Sequence, residues 1–250
     1  VEDIMRTELK TIAPTDSRDQ AAQVVTRNNI LAVPVLDQGR IIGLVTVDDV
    51  IDIVEKEATE DMYNMAGLSQ GDRIFSHPLS SLKKRIPWNG LNLITTFLAA
   101  SVVNAFEGTI SRYAVLAVFM PVIAGIGGNA GNQTLTIMIR GITLGELEFS
   151  TTWRAVLKEI TVGLLMGLLL GSIAAIVAIL WKGSPMLGLV VALSMTANIL
   201  LSATIGTMIP LTLKRFGLDP ALGGSILVTM CTDVFGFFSF LCLAELLLMP

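Results

Sequence analysis

Two places in this sequence put oxygen-bearing groups where an apolar chain has no need of them. The first is Asp233, in "TMCTDVFGFFSF", about ten residues into an otherwise uncharged run. The second is "PVIAGIGGNAGNQT", Pro121 to Thr134, where four glycines, two asparagines and a glutamine sit inside a stretch without charge from Tyr113 to Ile139. In hydrocarbon, polar and irregular backbone survives only when buried in protein or lining a watery path. A carboxylate near mid-membrane marks a functional site by default, and no basic residue lies at comparable depth to pair with it. Asp233 is therefore protonated, hydrated or facing a cation. Asn129 and Asn132, three apart, share roughly one helix face and offer amide oxygens, and backbone carbonyls near Gly125 and Gly128 add to them. Gln133 points elsewhere and is placed to bond a neighbouring helix. Carboxylate, amide and carbonyl oxygens are the ligands that Mg²⁺ and Ca²⁺ prefer, and Mg²⁺ gives up its water reluctantly, so a wide site around a hydrated ion fits better than a dry cage. The competing reading is close helix packing through small residues with amides as interhelical links. Amides beside the glycines tilt the balance toward a lined path.

Those residues need spanning helices to position them. Of 250 residues, 52% are hydrophobic and 15% charged, with mean hydropathy +0.70, too apolar for an ordinary soluble domain. Residues 1–87 hold 24 of the 38 acidic and basic residues. Beyond them, five runs are long enough to span a bilayer: Trp88–Phe106, Tyr113–Ile139, Ile160–Trp181, Met186–Ile209 and Gly223–Ala244. No signal peptide is expected ahead of them, because the first 87 residues are polar and patterned like a folded domain. With the N-terminus in the cytoplasm, inner segments carry Lys83, Lys84, Arg85, Arg140, Arg154, Lys158, Lys214 and Arg215, and outer loops only Arg112 and Lys182. That asymmetry places the N-terminus inside and the C-terminus outside. Cys231 and Cys242 both fall in the fifth run and read as small buried residues.

Residues 1–66 read as a small α/β unit. "TDSRDQAAQVVTRNN" is a helix capped by Asp16 or Ser17. "LAVPVLD", a "QGR" turn and "IIGLVTV" form a hairpin. "DDVIDIVEKEATEDMYNMAG" is a second helix with Ile51, Val54, Ala58, Met62 and Met65 on one face. Its other faces carry Asp48, Asp49, Asp52, Glu55, Glu57, Glu60 and Asp61 against Lys56 alone. Like charges at this spacing repel, and a divalent cation would relieve them, although a solvated acidic face is the plainer alternative. Residues 67–87 read as a linker ending in a basic cluster, and His77 within it is not expected to bind metal. Residues 88–250 then form the membrane domain. The fold class is a multi-pass α-helical membrane protein of five spans with an N-terminal α/β module. No nucleophile–base pair or phosphate loop is present, so enzymatic activity is not expected, nor is nucleic acid a partner.

The β-α-β-β-α order with "AVPVLD...GRIIGLVTVDDV" resembles a CBS motif over about 60 residues. In nucleotide-binding modules of this kind the positions of Thr46 and Asp49 hold a ribose, which makes ATP a candidate ligand; helix capping by Asp48 is the structural alternative. Together with "PVIAGIGGNAGNQT" and "DPALGG...TMCTDVFGFF", the module resembles the MgtE family of magnesium channels along the whole chain. The resemblance implies a homodimer in the cell (inner) membrane, five helices per subunit, and a Mg²⁺ pore on the dimer axis. It assigns the pore to Asp233, Gly125, Gly128 and Asn132, and regulatory Mg²⁺ that closes the pore to Asp49, Asp52, Glu60 and Asp61. The family's acidic N-terminal domain and first CBS motif are not within these 250 residues, so the sequence is read either as a piece of a longer chain or as a short member. The alternative is a cation-coupled secondary transporter in which Asp233 titrates; the absence of a clear internal repeat counts against it.

Overall fold

The computed structural model describes residues 9–68, 71–147 and 152–249, the side chain of Asp19 excepted. The first eight residues of the expected N-terminal module and residues 69–70 of the expected linker lie outside the described residues. The chain divides into two units at Met62/Tyr63.

In the first unit, α1 (Arg18–Asn28) starts with a complete capping box. The Ser17 hydroxyl accepts from the Gln20 amide, and the Gln20 side chain accepts from the Ser17 amide. Strands β1 (Ala32–Asp37) and β2 (Arg40–Thr46) pair antiparallel through a two-residue turn. Gln38 and Gly39 both take positive φ, 46° and 78°, as a tight hairpin whose twist matches its strands requires. Among the described residues, the first strand of the expected order is represented by a parallel bridge from Ile12 to Val35. Ile12, Ala21, Ala22, Val25, Val33 and Val50 close the small core. The long helix α2 (Val47–Met65) follows. Only Val50 on it is buried, whereas Ile51, Val54, Ala58 and Met62, read as one apolar face, are exposed in the single chain.

The second unit contains α3 (Pro78–Ala105), α4 (Glu107–Arg112), α5 (Leu116–Thr143), α6 (Thr152–Lys182), α7 (Pro185–Arg215) and α8 (Gly224–Leu248). Helix α3 begins ten residues before the expected span, so half of the supposed linker is helical. Pro78 occupies the first turn, where its missing N–H costs nothing, and His77 is the N-cap, its Nδ1 accepting from the Leu79 amide at 3.4 Å. The segment before it is an ordered elbow around Asp72. Its carboxylate accepts from the Ser81 hydroxyl at 2.6 Å and Arg85 Nε at 2.8 Å, and its carbonyl accepts from the Tyr63 hydroxyl at 3.0 Å. The Ser81 bond and then Arg85 hold this carboxyl below the usual carboxylate range.

Helices α3, α6, α7 and α8 are long and apolar enough to cross a membrane. Helix α5 is as long as α3, at 28 residues, but its glycines and amides dilute its hydropathy. It is one continuous α-helix through the Pro121–Thr134 stretch, so the carbonyls of Gly125 and Gly128 belong to the helix ladder rather than to irregular backbone. Helices α5, α7 and α8 pack on one another, α6 lies along α7, and α3 lies against α8. The α6–α7 contact is built from glycines four apart. A β-carbon at Gly163 would stand 2.5 Å from that of Ala203, and one at Gly171 would stand 2.8 Å from the Ala192 carbonyl. The Thr196 hydroxyl donates across this seam to the Gly167 carbonyl at 3.0 Å.

Gly171→Val should destabilise the bundle by about 1–3 kcal/mol through overpacking, read as a lower midpoint in detergent. Asp72→Asn should also lower the midpoint. A depressed carboxyl contributes stability above its unfolded pKa and loses it as pH falls through the folded one. The wild-type advantage over Asp72→Asn should therefore hold at neutral pH and vanish in strongly acidic buffer, below the ordinary aspartate range of about 4.

Candidate functional site

The site forms where α5 crosses α8. Gly128 is buried there, and a β-carbon on it would lie 3.7 Å from the Thr232 hydroxyl, next in sequence to Asp233. One turn along α5, a β-carbon at Gly131 would lie 2.5 Å from Val228 Cγ1. Gly127, Gly128 and Gly131 thus form the packed side of the signature, while Gly125, Asn129 and Gln133, at fourfold spacing, form its exposed side. Nothing lies within 4 Å of a β-carbon placed on Gly125. Asn132 sits at the edge between these sides, half-buried, with its side-chain oxygen free of any hydrogen-bond partner. Asp233 is also half-buried and makes no hydrogen bond or ion pair among the described residues. The single chain therefore holds Gly128 beside the turn that carries Asp233 and leaves Gly125 and Asn129 uncovered. Glycine supplies space here, and the amide and carboxylate oxygens supply the ligand chemistry for a hard cation.

Two buried groups in this region escape a reading by composition. Glu159 is 3% exposed on α6, although the expected third span began one residue later and left it in a loop. Its carboxylate accepts from the Thr134 hydroxyl of α5 at 3.2 Å and from the Lys158 ammonium at 2.5 Å. It lines a small cavity of about 60 Å³ with Gln133 and Thr134, so the signature end of α5 is tied to α6. Asn198 is fully buried in the middle of α7. The signal that could have found it is a lone asparagine in an uncharged run, with serines four residues to either side, Ser194 and Ser202.

In the first unit, Asp49 and Asp52 are exposed and Glu60 and Asp61 partly so. From Asp49 to Glu60 the helix rises about 17 Å. Among the described residues no three acidic, histidine or cysteine side chains converge on one point. Lys56 lies 3.9 Å from Glu60, and Arg18 of α1 shares a surface groove with Asp52, Lys56, Glu57 and Glu60, so basic groups temper the acidic face more than composition suggested. The predicted nucleotide pair has a structural occupation. The Thr46 hydroxyl and amide both donate to Asp49, at 2.8 and 3.2 Å, closing the start of α2. Asp49 thus reaches back to the helix start from position N3, and Asp48 shares the cap: the Thr46 side chain and then the first backbone amides of α2 hold its carboxyl below the usual carboxylate range. A ribose at this place would have to take over a carboxylate already bound to Thr46. Cys231 and Cys242 are both free thiols, half-buried in α8.

Residues 120–243 match the family model "MgtE: Divalent cation transporter", and residues 1–56 match a CBS domain. The chain is 34% identical to a "Magnesium transporter MgtE" of Thermus thermophilus, the alignment covering 99% of this chain and 56% of that protein. It is 32% identical to a protein of the same name from Bacillus subtilis, over 94% of this chain and 52% of the relative. A third, from Enterococcus faecalis, is 31% identical over the same shares. The chain thus spans about half the length of the curated relatives it matches.

Glu159→Ala should cost about 1–3 kcal/mol, since it removes a charged hydrogen bond and leaves the Thr134 hydroxyl without its partner; chemical denaturation in detergent measures it. Asp49→Ala should cost about 1 kcal/mol of stability in the N-terminal unit, read as earlier proteolysis within α2.

Proposed function

As the chain belongs to the MgtE family of divalent cation transporters, with a CBS module ahead of its membrane helices, we propose that it is a Mg²⁺-selective channel. Its relatives are named magnesium transporters, and hard oxygen ligands beside a half-buried carboxylate suit that ion. The observation that carries the reading is Asp233, a carboxylate in a spanning helix with no partner among the described residues, one residue from the α5–α8 crossing. Charge buried without compensation is costly, and a transported cation supplies the compensation.

The uncovered side of α5, with Gly125 and Asn129, favours a second copy facing it, so the channel is a homodimer with its path on the two-fold axis. Two Asp233 carboxylates balance one divalent charge, and Asn132 and the ring of water on Mg²⁺ complete the coordination. The membrane is the cell (inner) membrane, with the N-terminus cytoplasmic, supported by the distribution of lysine and arginine between the loops.

Gating follows from the acidic helix. Within one chain Asp49, Asp52, Glu60 and Asp61 do not converge, so a regulatory Mg²⁺ bridges the α2 helices of two subunits. Two unit charges about 6 Å apart interact by roughly 3 kcal/mol at an effective dielectric near 20. Several such pairs exceed the few kcal/mol that separate conformational states. Mg²⁺ removes the repulsion, draws the helices together and closes the path, which protects the cell from overload.

The test is Mg²⁺ flux in proteoliposomes, with Ca²⁺ and Mn²⁺ as competitors. Asp233→Ala should abolish flux without loss of the folded dimer, and Asp233→Asn should lose flux or selectivity because it keeps shape without charge. Wild-type flux in both would reject the pore assignment. In patch recordings, open probability should fall as internal Mg²⁺ rises, and Asp49→Ala with Asp52→Ala should flatten that dependence. An unchanged dependence would leave the acids as a solvated face.

A further inference from the structure

The middle of α7 carries a fully buried asparagine that the proposed pore does not use. Asn198 Nδ2 donates to the Ile123 carbonyl of α5 at 3.0 Å, while its Oδ1 has no partner. Its amide is clasped between two glycine backbones. A β-carbon at Gly127 would stand 2.2 Å from Nδ2, and one at Gly236 of α8 would stand 2.7 Å from the same atom. Gly127 adjoins Gly128, which faces Thr232, and Gly236 is three residues past Asp233, almost one helical turn. One side chain therefore touches both helices that carry the proposed cation ligands, three residues from Asp233 on α8 and five from Asn132 on α5.

An amide buried this deeply costs desolvation that an apolar residue of the same size would not. What the amide supplies is register. One turn before Gly127 on α5 stand Ile123 and Ala124, and the β-carbon of either would exclude the amide if α5 slid to bring it opposite; one turn after stand Ala130, which would exclude it, and Gly131, which would not. Rotation of α5 by one residue would put Ile126 in the slot in one direction and Gly128 in the other. The polar seam continues along α7, where the Ser202 hydroxyl donates to the Asn198 carbonyl at 2.6 Å and Ser194 is fully buried one turn away.

We propose that Asn198 is a positioning residue for cation selectivity: by filling the slot between Gly127 and Gly236 it sets the spacing of the α5 signature from Asp233. The inference rests on Asp233 being the pore carboxylate. A hydrated divalent cation held through water by Asp233 and Asn132 is sensitive to that spacing. A shift of the helices should change which ion fits before it changes whether the bundle folds.

The experiment measures Mg²⁺ and Ca²⁺ flux per folded channel in proteoliposomes, with thermal midpoint and oligomeric state measured in parallel. Asn198→Ala should lower Mg²⁺ flux tenfold or more and reduce the Mg²⁺/Ca²⁺ flux ratio in protein that still assembles. Gly127→Ala should be impaired because its methyl meets the amide. The double variant Gly127→Ala/Asn198→Ala should recover flux and ratio relative to Gly127→Ala, because the methyl then occupies the space the amide left. Asn198→Ser, which keeps a polar group of smaller size, serves if the alanine variant does not fold. A wild-type flux ratio in the Ala or Ser variant, a double variant no better than Gly127→Ala, or failure of both single variants at 198 to fold would each overturn the proposal, the last by making the residue merely structural. Asp233→Asn in the same assay separates the two readings. If it conducts like wild type, the pore assignment fails. If it is silent while Asn198→Ala behaves as wild type, only the positioning role fails.

Discussion

Helix α5 can sit in the membrane bundle only by coming close enough to α7 and α8 for backbone to meet backbone. A β-carbon at Gly206 of α7 would stand 2.6 Å from the Gly131 carbonyl of α5, and one at Gly224 of α8 would stand 3.0 Å from the Leu135 side chain. Without a water-driven force between helices in lipid, such close van der Waals contact is what holds them together. The same contact turns the signature outward. The buried side of α5 is spent on packing, so Asn129 and Gly125 remain on the uncovered side.

The polar groups follow from that closeness. Where side chains are stripped away, the exposed backbone is helical and self-satisfied, and several buried hydroxyls and the Asn198 amide reach a carbonyl on their own or a neighbouring helix, whereas the Ser194 hydroxyl has no partner among the described residues. Ser202, Thr204 and Thr207 donate to carbonyls four residues back on α7, and Thr196 also reaches the Gly167 carbonyl of α6. Glu159 is the exception in charge, and it is buried with both a hydroxyl and an ammonium on its carboxylate. Asp233 has neither among the described residues, and the role proposed for it rests on that contrast between two carboxylates in one bundle.

The N-terminal unit is held by different means. Its core is small, and local devices do much of the work: a capping box at Ser17, a two-residue turn at Gln38 and Gly39, and the Thr46–Asp49 bond that starts α2. Beyond Val50, α2 leaves that core with Ile51, Val54, Ala58 and Met62 of its apolar stripe exposed, and only Met65 at its end packs against a buried cluster. A helix that cannot bury its own apolar face in its own chain suits a role in which something else covers it or moves it.

The sequence by itself determined the elements that depend on local chemistry. The cap at Ser17, the hairpin, the acidic helix and the apolar spans are each readable because capping, turn φ and helical periodicity act within a few residues. Asp233 and the glycine–asparagine signature were legible too, since a polar group in an apolar run is conspicuous without any fold. Boundaries were less so: α3 starts at Pro78, because a proline after a capping residue opens a helix even where the composition is polar. What only the tertiary structure decided is which face of α5 packs and which stays open, that the expected carbonyl ligands are absorbed in a continuous helix, and that Glu159 and Asn198 are buried. Those outcomes turn on contacts between residues far apart in the chain, Thr134 with Glu159 and Gly127 with Asn198, and helix periodicity gives each residue a face but not the neighbour that the face will meet.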